Sequence, residues 1–224
     1  MNDYESQIEN DLLWREKELA SLKRMAITSR NNQIAYRAIL RASWATLYAH
    51  FEGFTKFAWE LLLDKVESEA VPARELSEKF RALALEKPFK ILRGDASSEN
   101  LLSFFDSGMQ EFLRSPVIFD PECRLSTDSN LWPNVFEREC AKIGVASREL
   151  DNGRARIKAL VARRNEIAHG KNMTVSSVDE YSEYEQAALL VMHDLALQVL
   201  DIIENRGYRV TNFPAQTITA DSSE

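Results

Sequence analysis

The stretch LRASWATLYAHFEGFTKFAWEL, residues 40–61, decides the fold of this chain. Its apolar residues follow one another at alternating steps of four and three positions: Leu40, Trp44, Leu47, Phe51, Phe54, Ala58 and Leu61. A 3.5-residue repeat kept over three heptads favours a helix that packs left-handed against other helices. The pattern therefore predicts a long helix over residues 33–66 that forms the centre of the core.

Helical periodicity continues on both sides of this segment. Residues 4–28 carry apolar side chains at spacings of three, four and seven on a charged background, which is typical of an amphipathic helix. Weaker patterns predict short helices over residues 99–113 and 133–142. Two further helices have signals at both ends. The first begins at Asp151 or Asn152 as its cap and ends at His169, with Gly170 at C′. The second extends over residues 177–205, with Ser176 or Ser177 as its cap and Gly207 after its end. We expect an all-α bundle of four to five long helices.

Turn signals delimit an insertion and a tail. Residues 94–130 contain clusters of Gly, Pro, Ser and Asp on either side of one short helix, so we interpret them as an insertion between core helices. Beyond residue 210 the chain is rich in Thr, Ser and Asp. Since 224 residues suit one well-buried core, we predict a single helical domain over residues 1–210 and a flexible tail over 211–224.

Composition argues against several other classes of protein. With 7 glycines and 6 prolines the chain is poor in the residues that a turn-rich β architecture needs. Cys123 and Cys140 are too far apart for a Cys-x-x-Cys pair and have no His or Cys cluster around them, so we interpret them as reduced thiols and expect neither a metal nor a cofactor. No apolar run has the length of a signal peptide or membrane span, which favours a cytoplasmic location.

Positive charge is concentrated near the C-terminal end of an acidic protein. The net charge is −7. Between positions 154 and 171 only Glu166 opposes six basic residues, namely Arg154, Arg156, Lys158, Arg163, Arg164 and Lys171. This segment therefore carries +5, and the remainder of the chain carries −12. Two interpretations remain open: a local phosphate-binding surface, or a solvated helix face that balances acidic neighbours.

The same segment contains Arg164-Asn165-Glu166-Ile167-Ala168-His169-Gly170, which combines the groups needed to cleave RNA without a metal. Histidine can remove the proton of a ribose 2′-hydroxyl near neutral pH, and that oxygen then attacks the adjacent phosphate. Arginine stabilises the charge that develops on the non-bridging oxygens. DNA lacks the 2′-hydroxyl, so this chemistry selects RNA.

Three segments resemble the HEPN family. The run from Leu160 to Gly170 resembles its Arg-x4-His signature, and Tyr48-Ala49-His50-Phe51-Glu52-Gly53-Phe54 together with Ser129-Asn130-Leu131 and Ile143-Gly144 resembles the MAE-like HEPN branch, near the RiboL-PSP-HEPN group. The resemblance implies a HEPN-like helical bundle and a metal-independent endoribonuclease that acts as a homodimer, with RNA as its substrate. It also implies a toxin–antitoxin or phage-defence setting, in which an antitoxin or another defence protein would be a partner.

Roles for individual residues follow from the motif. We expect Arg164, Asn165 and His169 to be catalytic. The residues expected to bind RNA are Arg163, Lys171, Arg156 and Lys158. Glu52 lies in an aromatic stretch where a carboxylate needs a partner, so we expect it to brace an arginine such as Arg164. The open alternative is an internal ion pair of Arg164 with Glu52 or Glu166 and a merely polar helix end at His169.

The positions of these residues on one helix favour a two-fold assembly. At 100° per residue, Asn165 and His169 share a face, whereas Arg164 and His169 lie about 140° apart. Either the long arginine side chain wraps around the helix, or a second copy of the helix completes the site across a two-fold axis.

A function of a different class stays open beside the ribonuclease. The same surface could belong to a non-catalytic helical module that holds RNA, a nucleotide or a partner protein. Lys171 occupies the place two residues after the histidine where HEPN toxins with nucleotidyltransferase antitoxins often carry a modified tyrosine. Control by tyrosine modification is therefore not expected.

Overall fold

Helices account for nearly all regular structure in the computed structural model, which describes residues 3–95, 97–121, 124–125, 130–173 and 175–210. These helices are α1 (Asp3–Thr28), α2 (Gln33–Ser68), α3 (Glu78–Gly94), α4 (Ser98–Ser103), α5 (Met109–Arg114), α6 (Pro133–Lys142), α7 (Arg148–Ala168) and α8 (Val178–Glu204). A 3₁₀ turn (Ala73–Glu75) precedes α3, and a π-helical turn (Phe104–Gly108) joins α4 to α5. No strand occurs within the described ranges, so the all-α prediction is confirmed.

Helix α2 lies at the centre of the core, as the heptad pattern predicts. All seven repeat residues from Leu40 to Leu61 are buried. Helices α1, α7 and α8 pack around α2. The indole of Trp44 donates a 3.1 Å hydrogen bond to the Leu160 carbonyl of α7. This bond joins the central helix to α7, the motif helix, which carries Arg164 and Asn165 and has His169 as its C-cap.

Helix α1 returns along α2 through a short turn. Asn32 caps α2 by accepting a hydrogen bond from the Ala35 amide at 3.1 Å. Of the apolar residues at these helical spacings on α1, Ile8, Leu12, Leu19 and Ala26 are buried, whereas Leu22 is half-buried. A helix of 26 residues that buries one stripe and exposes charges elsewhere agrees with the amphipathic pattern.

Helix α7 begins earlier than the sequence indicates. Its cap is Ser147, whose hydroxyl accepts from the Leu150 amide at 3.0 Å, and not Asp151 or Asn152. The Ser147 hydroxyl also donates to Asp194 of α8 at 2.6 Å, a partner that local sequence does not reveal. The end of α7 agrees with the prediction, because His169 is the C-cap and Gly170 has φ +72°.

The region between α2 and α6 contains more helix than expected. Helix α3 was not predicted, and Pro88 in its interior interrupts the periodic signal. Helices α4 and α5 with the π turn extend the single predicted helix over 99–113 by only one residue at each end. Of the predicted turn over 126–130, the structure describes only Asn130. Cys123 and the predicted tail over 211–224 also lie outside the described residues.

Helix α8 completes the bundle. Ser177 caps it through the Glu180 amide, and it ends at Glu204 before Gly207, as predicted. Its length and mean hydropathy of 1.5 over the most apolar window would suit a membrane span, and 44% of that window is buried in the protein. Its buried residues pack against α1, α2 and α7, so α8 is a core helix of this bundle.

Candidate active site at the end of helix α7

The end of α7 is held in place by an arginine of α2. The Arg41 guanidinium donates to the Lys171 carbonyl at 2.6 Å and to the Ile167 carbonyl at 3.3 Å. These carbonyls flank His169 and Gly170, and carbonyls at a helix end lack partners within the helix. Arg41 therefore fixes the backbone on both sides of His169.

The Arg164 guanidinium lies over an aromatic ring between two amide oxygens. Its Cζ is 4.5 Å from the centre of the Tyr48 ring on α2. Its Nη1 donates to Asn130 Oδ1 at 2.9 Å and to Asn165 Oδ1 at 3.1 Å. Among the described carboxylates none lies within ion-pair distance of Arg164, so neither Glu52 nor Glu166 neutralises it directly.

Tyr48 brings two of the predicted segments together. Its hydroxyl accepts a hydrogen bond from the Leu131 amide at 2.9 Å. Burial and a hydrogen bond with Glu52 raise the pKa of Tyr48, so the ring under Arg164 stays neutral. The Tyr48 and Asn130-Leu131 segments thus meet the motif helix at Arg164, while Ser129 lies outside the described residues. Gly144, with φ +88°, lies in the turn before α7 at the other end of that helix.

A surface pocket of about 240 Å³ opens beside Arg164 and is lined by Tyr48, Ala49, Glu52, Gly53 and Lys56. The predicted bracing of Arg164 by Glu52 needs correction, because Glu52 pairs with Lys56 of the next turn at 2.7 Å. Burial acts to raise the pKa of Glu52, but hydrogen bonds from Lys56 and Tyr48 and the charge of Arg164 outweigh it, so the pKa lies below its ordinary value. Glu52 is therefore a carboxylate within the same pocket, and its direct partners are Lys56 and Tyr48.

His169 is exposed, and Arg164 lies on a different side of α7. Arg164 stands three and four positions after the buried Val161 and Leu160, so it continues the stripe that faces α2. His169 stands four positions after Asn165 and faces solvent. Ala168, next to His169, is also exposed.

The basic residues around the motif differ in their surroundings. Arg163 donates to Glu180 at 2.5 Å and stacks over Trp44 and Tyr184, which favours a structural role over the expected RNA contact. Arg156 is exposed and lies 3.7 Å from Glu183. Lys158 is exposed on α7. Lys171, with 67% of its side chain exposed, lies 3.8 Å from Glu166.

The comparison with known families settles the relationship that the motif suggests. The sequence model of the MAE-like HEPN family matches residues 4–208. The chain belongs to the HEPN family. No curated protein and no solved structure matches it.

The other half of the HEPN-like Ala-His-Phe-Glu-Gly-Phe segment faces α1. The buried Arg15 guanidinium lies 3.4 Å from His50 Nδ1, and a Cβ at Gly53 would come within 3.0 Å of it. His50 Nε2 lies 2.7 Å from Glu18. Burial and the charge of Arg15 lower the pKa of His50. His50 and Gly53 thus hold α1 against α2, while Tyr48 and Glu52 of the same segment face the motif helix.

Sequence reasoning gave no role to three residues of the site in this HEPN protein: Arg41, Tyr48 and Lys56. Tyr48 belongs to the segment that resembles the family, whereas Arg41 and Lys56 carry no motif. With Glu52 the three recur on α2 at spacings of seven, four and four, one side of a helix. That spacing was a usable signal. What it did not reveal is that this side of α2 lies against the end of α7.

Proposed function

We propose that this HEPN protein is a metal-independent endoribonuclease whose reacting groups are Arg164, Asn165 and His169. The observation that carries the proposal is the environment of Arg164. Its described hydrogen-bond acceptors are the amide oxygens of Asn130 and Asn165, which fix the guanidinium without neutralising it. A fixed cation at the edge of a pocket suits a phosphate that gains charge during the reaction.

In the proposed reaction, His169 accepts the proton of a ribose 2′-hydroxyl. The 2′-oxygen forms a bond to phosphorus as the bond from phosphorus to the 5′-oxygen breaks, and the leaving oxygen takes up a proton. Arg164 stabilises the non-bridging oxygens, and Asn165 holds Arg164 in position. The products are a 2′,3′-cyclic phosphate and a 5′-hydroxyl. Because His169 is exposed, its ring is accessible to a bound RNA strand.

We further propose that the working form is a homodimer with α7 at a two-fold interface. Arg164 faces α2 while His169 faces solvent, so one chain does not readily direct both at one phosphate. The side of α7 that carries His169 has two small exposed residues, Ala155 and Ala162. With Lys158, Asn165 and His169 they follow one another at alternating steps of three and four. Small residues permit two helices to approach closely, and Arg164 of one subunit would then act with His169 of the other.

Binding of RNA is proposed to be local and weak, with a shallow dependence on salt. Lys56 lies in the Arg164 pocket with 44% of its side chain exposed, and Lys171 and Lys158 are exposed near the motif. These few cations stand on a chain of net charge −7, so few phosphates are engaged and the salt dependence is shallow. The proposed setting is a toxin–antitoxin or phage-defence system in the cytoplasm.

The second candidate function is a non-catalytic module that binds RNA, a nucleotide or a protein at the same surface. One observation favours it: Arg163 and Arg164 both already have protein partners, as in a site built for rigidity. The two functions differ in whether the exposed His169 is needed for chemistry.

The test is an RNA cleavage assay with the purified chain in EDTA. We expect single-stranded RNA to be cut to products with 2′,3′-cyclic phosphate ends, and His169→Ala to abolish cutting while the circular dichroism spectrum stays unchanged. His193→Ala is the matched control, because His193 is also an exposed histidine but lies on α8. Loss of cutting in EDTA would overturn the mechanism, and full activity of His169→Ala would overturn the assignment of the base.

A further inference from the structure

A second surface feature lies between α1 and α8. Both helices pack against α2, and a groove of about 370 Å³ runs between them. Buried Ile8 and Leu12 of α1 and Ala196 of α8 contribute to its floor. None of these residues belongs to the Arg164 pocket, so the groove is separate from the proposed active site.

The groove exposes more apolar surface than the fold requires. Leu197 of α8 is 69% exposed and Leu13 of α1 is 47% exposed, and both line the groove. The most apolar segment of α8 has a mean hydropathy of 1.5, high enough for a membrane span, yet less than half of that segment is buried in the protein. Exposed leucines gathered along one groove indicate a surface that another apolar element covers.

The rim of the groove is acidic. Glu5, Glu9 and Glu16 of α1 line it, and its described lining residues include no Lys or Arg. Glu16 lies 2.7 Å from His193 of α8, which bridges the two helices at this point. An occupant that covers the leucines must therefore place its own polar side chains beside three carboxylates.

We infer that this groove binds an amphipathic helix of a partner protein, with Leu or Ile on its inner face and Lys or Arg along its flanks. Such a helix buries Leu13 and Leu197 and pairs its cations with the rim. Glu5 to Glu16 extends over about 17 Å at 1.5 Å per residue, so about 12 residues of partner helix fill the groove.

Charge argues against the other occupants. A second copy bound through the same groove would bring two rims of glutamate together across a two-fold axis. RNA and anionic lipid are repelled by the same carboxylates. The groove is small beside a standard protein interface, so affinity in the micromolar range is expected for a single helix.

The test uses the full chain and fluorescence anisotropy with a labelled peptide of about 14 residues. The peptide carries Leu at positions spaced three and four apart and Lys at the flanking positions, and a second peptide has Glu in place of every Lys. We expect micromolar binding of the Lys peptide and at least tenfold weaker binding of the Glu peptide. Leu197→Asp and Glu9→Lys should each weaken binding of the Lys peptide about tenfold or more.

Ile34→Asp is the matched control for Leu197→Asp, because Ile34 is an apolar residue of α2 that is 85% exposed. Glu99→Lys on α4 is the matched control for Glu9→Lys. Both should bind the Lys peptide as the unchanged chain does, and Leu197→Asp should leave RNA cleavage unchanged. Equal affinity for the two peptides, or unchanged affinity of Leu197→Asp, would overturn the proposal. A dimer that dissociates on Leu197→Asp would also overturn it, because a second copy would then be the occupant.

Discussion

At the scale of single residues, the neighbouring Arg163 and Arg164 differ in whether a carboxylate neutralises their charge. Arg163 pairs with the Glu180 carboxylate, whereas the described acceptors of Arg164 are neutral amides. Adjacent positions on a helix point about 100° apart, so one guanidinium turns to α8 and the other to α2 and Asn130. Of the two, Arg164 is the one without a described carboxylate partner, which supports its proposed role at a phosphate.

Arg41 supplies a prediction at this scale. Arg41→Met removes the donors to the Ile167 and Lys171 carbonyls, so the backbone around His169 loses its tie to α2. We expect a loss of about 1–3 kcal/mol of unfolding free energy and slower RNA cleavage with little change in KM. The measurements are urea unfolding and cleavage kinetics. Arg37→Met, an exposed arginine one turn earlier on α2, is the control and should change neither. A normal cleavage rate in Arg41→Met would contradict this positioning role.

How much of the site the sequence predicts depends on distance along the chain. Arg164, Asn165 and His169 lie within six residues, so local sequence was enough to propose them together. The partner Asn130 is 34 positions from Arg164, and Tyr48 lies on another helix. Nothing local indicates these two contacts. Glu52 was expected to brace an arginine such as Arg164, although its ion-pair partner Lys56 stands only four positions later on the same helix.

At the scale of elements, the start of α7 depends on Ser147. Ser147→Ala removes both the cap and the bond to Asp194 of α8, so we expect a loss of about 1–2 kcal/mol in urea unfolding. Asn152→Ala, at the cap that the sequence indicated, replaces an exposed residue inside the helix and should cost nothing or slightly stabilise it. The reverse order of the two effects would show that α7 begins at 151 or 152.

The ends of α2 and α8 are joined by Glu69. Its carboxylate lies 2.8 Å from Lys65 and 3.0 Å from Arg209. Burial acts to raise its pKa, but hydrogen bonds from Lys65, Tyr208 and Arg209 outweigh this and lower the pKa to about 2.

A pH prediction follows from the sign of that shift. A carboxylate with a lowered pKa stabilises the fold fully above its ordinary pKa, which is 4.5, and this contribution is lost as the pH falls toward about 2. Glu69→Gln should therefore lower stability at pH 7, and the difference from the unchanged chain should shrink between pH 4.5 and 2. Urea unfolding across this range measures it, with the exposed Glu60→Gln as control. A difference that does not depend on pH would contradict the ion-pair account.

Long periodic elements were the predictable part of the fold. Helices α2 and α8 have strong apolar repeats and clear end signals, and their bounds agree with the prediction to within two residues at each end. Helix α3 was missed because it contains Pro88 and buries only Phe80, Leu83 and Ala84. The start of α7 was missed because Asp151 and Asn152 are also residue types that cap helices, and the additional bond from Ser147 goes to Asp194, a residue distant in sequence.

At the scale of the whole molecule, the proposed assembly predicts a mass about twice 25.6 kDa in light scattering.

Ala162→Arg places a long charged side chain on the side of α7 that carries the exposed small residues Ala155 and Ala162, so it should give a monomer with greatly reduced cleavage. The fold should remain intact, since Ala162 is exposed in the single chain. Lys158→Arg is the matched control and should stay dimeric, because Lys158 is exposed on the same helix and is already cationic. A monomer of the unchanged chain that still cuts RNA would contradict the assembly.

The most direct measurement of the composite site is complementation between two inactive chains. Arg164→Ala and His169→Ala are each expected to be inactive alone. Co-expressed with different affinity tags and purified as a heterodimer, they retain one Arg164 and one His169 on opposite subunits, so the account predicts that RNA cleavage in EDTA returns to about half the rate of the unchanged dimer. A heterodimer that forms and cuts no RNA would contradict a site in which the two residues act across the interface.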